Sequence, residues 1–189
     1  MKDWRNASLA ETLAEYESVT ADVRRLFGGL SGAQLNWKPS AEQWSIAQCL
    51  EHLIRSNAGF FPQFDAIAKG QKTARWMERI PGMPGVWGGL LIKSLLPETT
   101  RKLKAPAAGA PSASAIDAGI VEQFAAHQQE MMQKARALEP ANPGRVILTS
   151  PFLSFVTYSA LDACRICAVH ERRHLQQAER VMASPGFPT

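Results

Sequence analysis

Apolar residues recur at three- and four-residue spacing over four stretches of the chain. Over residues about 5 to 29 the stripe is Leu9, Leu13, Tyr16, Val19, Val23 and Leu26 or Phe27, one face of an amphipathic helix. Gly28 and Gly29 stop it. A connector from Leu30 to Ser40 follows, and Pro39 bars it from continuing as helix. The second stripe is Ile46, Leu50, Leu53, Asn57, Phe61 and Phe64. It predicts a helix from about Ser45 to Ala68, with a kink or early stop at Pro62. His52 lies at the edge of this stripe, on the side of Ser45, Cys49, Ser56 and Gly59, whose small side chains leave room for an imidazole. A third helix spans about 116 to 138 on Ile120, Phe124, Met131, Ala135 and Leu138, and Glu139-Pro-Ala-Asn-Pro-Gly ends it. The fourth runs from about Ser159, its cap, to Met182, before Pro185. Its stripe of Ala160, Ala163, Cys167, His170, His174, Gln177 and Val181 alternates steps of three and four, a heptad seam.

The remaining stretches carry no such period. Residues 69 to 114 are broken by Pro81, Pro84, Pro97, Pro106 and Pro111, with one short helix predicted at about 86 to 96. Ala105 to Ser114 is low-complexity and reads as a mobile linker. An excursion of this length in a compact domain suggests a lid or an interaction segment. Val146 to Tyr158 is β-branched enough for a strand but reads as an extended crossover. The expected architecture is one domain over 1–189, all-α, a four-helix bundle with 69–114 as an irregular insertion between helices two and three.

Composition narrows the function. The net charge of +4 is mild, with 46% hydrophobic and 20% charged residues, ordinary for a globular protein. The one basic cluster, Lys93 with Arg101, Lys102 and Lys104, lacks interleaved aromatics, so no nucleic-acid partner is expected. The run Gly85 to Ile92 is too short to span a bilayer, so no membrane partner is expected either. The N-terminus is polar, without a secretory signal, and three cysteines argue against a disulfide framework. Both point to a reducing cytoplasm.

Two of the four histidines, His170 and His174, lie on the buried seam. A buried imidazole needs a hydrogen-bond or metal partner. The i,i+4 pair projects from one helix face, and a facing helix could add His52. Three nitrogen ligands with an open fourth position suit a catalytic divalent ion, zinc or nickel foremost, although spacing does not separate them from iron or manganese. The plainer reading keeps the pair as core residues bonded to carbonyls. His127, among Gln128, Gln129 and Glu130, reads as solvated. His170-Glu171-Arg172-Arg173-His174 also satisfies H-E-x-x-H, but no histidine follows to complete a zinc-protease site. Glu171 is a weak candidate general base; pairing with arginine on the helix surface is its default role. Cys49 and Cys167 each precede a histidine by one turn, so a closed Cys₂His₂ structural site is an alternative. Small buried apolar residues is the simpler account of all three cysteines. Trp44 is expected to pack over the first turn of helix two, with a pocket wall as the second reading.

Gln34-Leu-Asn-Trp-Lys-Pro followed by Glu42-Gln-Trp-Ser-Ile-Ala-Gln-Cys-Leu-Glu-His-Leu resembles the first signature of the DinB-like superfamily, and Ala168-Val-His-Glu-Arg-Arg-His-Leu-Gln-Gln resembles the second. The resemblance runs from helix one to helix four and fits 69–114 poorly. It implies an up-up-down-down four-helix bundle, often a homodimer, and a metal held by three histidines, here His52, His170 and His174. Relatives include S-transferases and isomerases that use bacillithiol, mycothiol or glutathione. Others are described as metal-dependent hydrolases, and the founding member is associated with DNA damage induction. The leading expectation is a metal-dependent enzyme acting on a small molecule, by thiol transfer first and hydrolysis second. A low-molecular-weight thiol would then be a second cofactor. The alternatives are a non-catalytic helical protein and an interaction module built on 69–114.

Overall fold

The computed structural model describes residues 3–96, 109–113 and 115–189. Helix α1 (Leu9–Phe27) begins at a reciprocal cap. Glu11 N–H donates to Ser8 Oγ and Ser8 N–H donates to Glu11 Oε2, which satisfies two amides that no helical carbonyl could reach. The same device opens the short α2 (Gly32–Asn36) with Ser31 and Gln34, and α3 (Ile46–Ala58) with Ser45 and Gln48. Pro62 stops the second predicted helix early. The chain leaves α3 after Ala58 and restarts as α4 (Phe61–Ala68), with Pro62 in its first turn, where its missing N–H is harmless. A 3-10 turn at Trp76–Arg79 precedes α5 (Met83–Leu95), which realises the short helix expected at about 86 to 96. Helix α6 is Ile120–Arg136, and α7 is Ala160–Met182 with Ser159 as its cap.

Helix α1 packs on α6 and α7, and α3 packs on the same two, which closes a ring of four helices. The predicted stripes face inward. Tyr16, Val19, Val23 and Phe27 of α1, Ile46 and Leu53 of α3, and Phe124, Met131 and Ala135 of α6 are fully buried. Each large apolar side chain so buried contributes on the order of 1.5–3 kcal/mol. The Tyr16 hydroxyl donates to the Cys164 carbonyl at 2.7 Å, so this long side chain crosses the core without leaving a polar orphan. Among the described residues the chain is all-α apart from one small hairpin.

That hairpin corrects the expected crossover. Strands β1 (Ile147–Thr149) and β2 (Thr157–Ser159) pair antiparallel, with Leu148 opposite Tyr158. Ser150 Oγ accepts from the amides of Phe152 and Leu153, and Ser150 N–H donates to the Val156 carbonyl at 2.8 Å. The side chain thus supplies the turn that the sequence pattern did not announce. Helix α5 lies against α7 and β2.

Residues 109–113 are held along α3 by hydrogen bonds that Gln48 and Arg55 donate and Glu51 accepts, so this part of the expected mobile linker is docked. The rest of that stretch, 105–108 and 114, lies outside the described residues, as do the basic residues at 101, 102 and 104. Among the described residues no helix is long and apolar enough to cross a membrane.

Candidate metal centre

Two packed helices build the site. Helix α3 carries His52 one turn after Gln48 of its cap, and burial leaves His52 only 3% exposed. Helix α7 carries His170 and His174 one turn apart, so both rings leave the same face. Because α3 packs on α7, the three rings meet edge to face. Their centroids are 4.9 Å apart for His52 and His170, 4.6 Å for His52 and His174, and 4.6 Å for His170 and His174. One ring nitrogen from each lies within 4.8 Å of the others. The sequence expectation that distant stretches bring three imidazoles together is met in the geometry.

The second nitrogen of each ring decides what the first can do. His52 Nδ1 lies 2.5 Å from the Gly109 carbonyl oxygen. A carbonyl only accepts, so Nδ1 carries the proton and Nε2 presents its lone pair. That Nε2 lies 3.0 Å from His170 Nε2. His174 Nδ1 is sealed from solvent and has no hydrogen-bond partner among the described residues. Burial lowers the pKa of all three: His52 below its ordinary value, His170 to about 3, and His174 well below 6.5. The neighbouring rings and Arg173 push the two α7 histidines further in the same direction. At neutral pH the cluster is therefore three uncharged imidazoles, the form that ligates metals.

The donor set fits a divalent ion. Two nitrogens each about 2.1 Å from an ion, at an angle of roughly 90–110°, stand about 3.0–3.4 Å apart. The His52–His170 separation falls in that range, and the orphaned nitrogen of His174 is the kind of buried polar atom that a ligand would satisfy. An all-imidazole set suits zinc, nickel, copper or iron over calcium or magnesium.

Trp44 is a wall of this site. Its ring stacks on His174 at 5.6 Å and 21°, and tilts against His52 at 4.9 Å. It stands just before the start of α3 and lies against the histidine rings. Glu171 is elsewhere. It is fully buried, and both of its oxygens accept 2.6 Å hydrogen bonds, from Asn57 Nδ2 and Gln128 Nε2. Burial raises its pKa to about 8. It does not belong to the metal-holding group, nor does it sit on the helix surface with arginine.

Two other expectations are corrected. The Cys₂His₂ alternative finds no support in the geometry, because neither thiol joins the histidines among the described residues. Cys49 and Cys167 are buried in separate apolar clusters, and burial raises both pKa values, Cys49 to about 12. His127 is buried rather than solvated: it stacks on Phe61 at 5.1 Å, and burial lowers its pKa to about 4. Its polar sequence neighbours concealed an inward-facing helix position. The reading also missed Gly109, whose carbonyl sets the His52 proton, and the pair Asn57 and Gln128. A signal existed for Asn57, a polar residue on an otherwise apolar stripe.

A family model of the DinB superfamily matches residues 15–178, a span that contains all three histidines. The chain belongs to the DinB superfamily. No curated protein and no solved structure matches it. Membership in the superfamily agrees with the all-α architecture and with a three-histidine cluster between two of the long helices.

Proposed function

We propose that the chain is a metal-dependent enzyme that uses His52, His170 and His174 to hold one divalent ion and acts on a small electrophilic molecule. The observation that carries this is the convergence of three uncharged imidazole nitrogens within 4.8 Å, from two helices. When bound, such an ion would supply Lewis acidity and make a water or a thiol nucleophilic near neutral pH.

The chain's own residues prepare the site. Gly109 fixes the His52 proton on Nδ1. Trp44 shields the His52 and His174 rings on one side. The charge of Arg173 acts on both α7 histidines, and a nearby cation favours an anionic nucleophile. That preference serves a thiolate and a hydroxide alike; thiol transfer, with a low-molecular-weight thiol as co-substrate, is the first reading on the DinB resemblance, and hydrolysis the second. All three cysteines are buried and unpaired, which is consistent with a reducing cytoplasm and with a thiol supplied from solution.

Elemental analysis tests the reading. Purified protein incubated with Zn²⁺ or Ni²⁺ and desalted should retain about one ion per chain, as a three-ligand catalytic site would. His170→Ala should lose the ion and, with it, any thiol-conjugation activity found by screening. A variant that keeps the ion rejects the site.

A further inference from the structure

His52 takes its orientation from a main-chain carbonyl 57 positions away in sequence, in a segment outside the long helices. Something must hold that carbonyl in place. Residues 109–113 are pinned to one face of α3. Ser112 N–H donates to Glu51 Oε2 at 2.6 Å, and Ser112 Oγ–H donates to Glu51 Oε1 at 2.8 Å. Arg55 donates to the Ala110 carbonyl and to Ser112 Oγ, each at 2.9 Å. Gln48 Nε2 donates to the Ser112 carbonyl at 2.8 Å. Glu51 and Arg55 also pair with each other at 2.9 Å. Gln48, Glu51 and Arg55 stand at i, i+3 and i+7, so they share one side of the helix, with His52 next to Glu51. The accepting carbonyl must also come close to the ring. A Cβ on residue 109 would lie 3.0 Å from Ser56 Oγ and 3.4 Å from His52 Cε1, so glycine is the residue that lets the backbone reach the ring.

From this we infer that Glu51 and Arg55 are positioning residues for His52: they clamp residues 109–113 over the ring so that Gly109 fixes the Nδ1–H tautomer and Nε2 faces His170. The inference rests on the metal-centre reading for its purpose, but the tautomer itself is a property of the metal-free chain. A neutral imidazole without the carbonyl divides between two tautomers, and only the one with its proton on Nδ1 can offer Nε2 to an ion. Hydrogen-bond partners of this kind typically account for about 10–100-fold in metal affinity.

The test uses the full-length chain, with Glu51→Ala and Gly109→Ala as independent ways of releasing the clamp, and Arg24→Ala as a control in a distant ion pair with Glu122. Imidazole ¹⁵N NMR of the metal-free protein should show the Nδ1–H form of His52 in the wild type and the control. Both clamp variants should show a mixture of tautomers. Chelator competition with Zn²⁺ should show about 10–100-fold weaker binding in both clamp variants and no change in the control, with helical circular dichroism retained. An unaltered His52 tautomer together with unaltered Zn²⁺ affinity in both variants overturns the inference. Failure of the wild type to take up Zn²⁺ sinks the metal reading instead, and the tautomer measurement then decides the clamp alone.

Discussion

The buried carboxyl of Glu171 makes the fold sensitive to alkaline pH, and Glu171→Gln should remove that sensitivity. The folded-state pKa of about 8 stands above the ordinary carboxylate value of 4.5, and burial is the main cause. The amides of Gln128 and Asn57 donate to the two oxygens and pull the other way. Because the folded value is raised, the fold binds a proton that the unfolded chain has released. Stability from this group is fully present below about pH 4.5 and is lost as pH rises through about 8. Between about pH 6.5 and about pH 9, the two-value linkage expression gives a loss of about 2 kcal/mol. For a chain of this length that corresponds to roughly 4–8 °C in Tm.

The histidines act in the opposite direction and in a different window. Their folded values are lowered, so their contribution is complete above 6.5 and falls away only at more acidic pH. Working above pH 6.5, with chelator present, keeps them out of the comparison. Other groups cancel in the difference between wild type and variant. Urea unfolding followed by circular dichroism at about pH 6.5, 7.5 and 9 should show Glu171→Gln gaining about 2 kcal/mol relative to wild type across the range. Stability curves that run parallel from pH 6.5 to 9 would refute a protonated Glu171 in the core.

Three further outcomes follow from the packing. Trp44 lies 4.9 Å and 5.6 Å from two of the histidine rings, so tryptophan emission should fall when Co²⁺ is added, and Trp44→Phe should abolish most of that fall; an undiminished fall places the ion elsewhere. The three thiols should resist alkylation in native protein with or without chelator, because burial raises all their pKa values, Cys49 and Cys164 to about 12; chelator-dependent labelling of Cys49 and Cys167 would restore the structural Cys₂His₂ site. Tyr16→Phe removes the buried hydrogen bond to the Cys164 carbonyl and should cost about 1 kcal/mol in urea unfolding, whereas no measurable loss would show that the bond is not made.

The long helices and the three histidines were legible because each depends on local pattern. The α7 seam places His170 and His174 on the inward line by spacing alone, and Ser159 and Ser45 announce their helix starts by chemistry. Pro62 correctly signals a break, though not that α4 resumes within three residues of Ala58. What escaped depends on contacts between distant residues. The hairpin strands are three residues each, too short for an alternation signal, and their pairing rests on the Ser150 turn and on burial of Leu148 and Tyr158. Residues 109–113 have no periodicity to read; their conformation comes from side chains on α3. His127 was misjudged because the character of sequence neighbours says little about which tertiary surface a side chain meets.

Adjacent residues on α7 show how one helix serves two polar systems. His170 and Glu171 are separated by about 100° around the axis, enough to send one toward His52 and the other toward Asn57 and Gln128. The two clusters have opposite needs. The histidines must shed protons to bind an ion, and burial drives them that way; the carboxyl must keep its proton to stay buried, and burial drives it that way too. The same desolvation therefore readies the site as a set of neutral donors and holds the core next to it as a neutral acid. It also argues against reading His170-Glu171-x-x-His174 as a zinc-protease helix. A general base on that motif must be turned toward the ion, whereas Glu171 has both oxygens engaged by Asn57 and Gln128 on another face. In this chain the H-E-x-x-H pattern is a coincidence of two structural demands on one turn of helix.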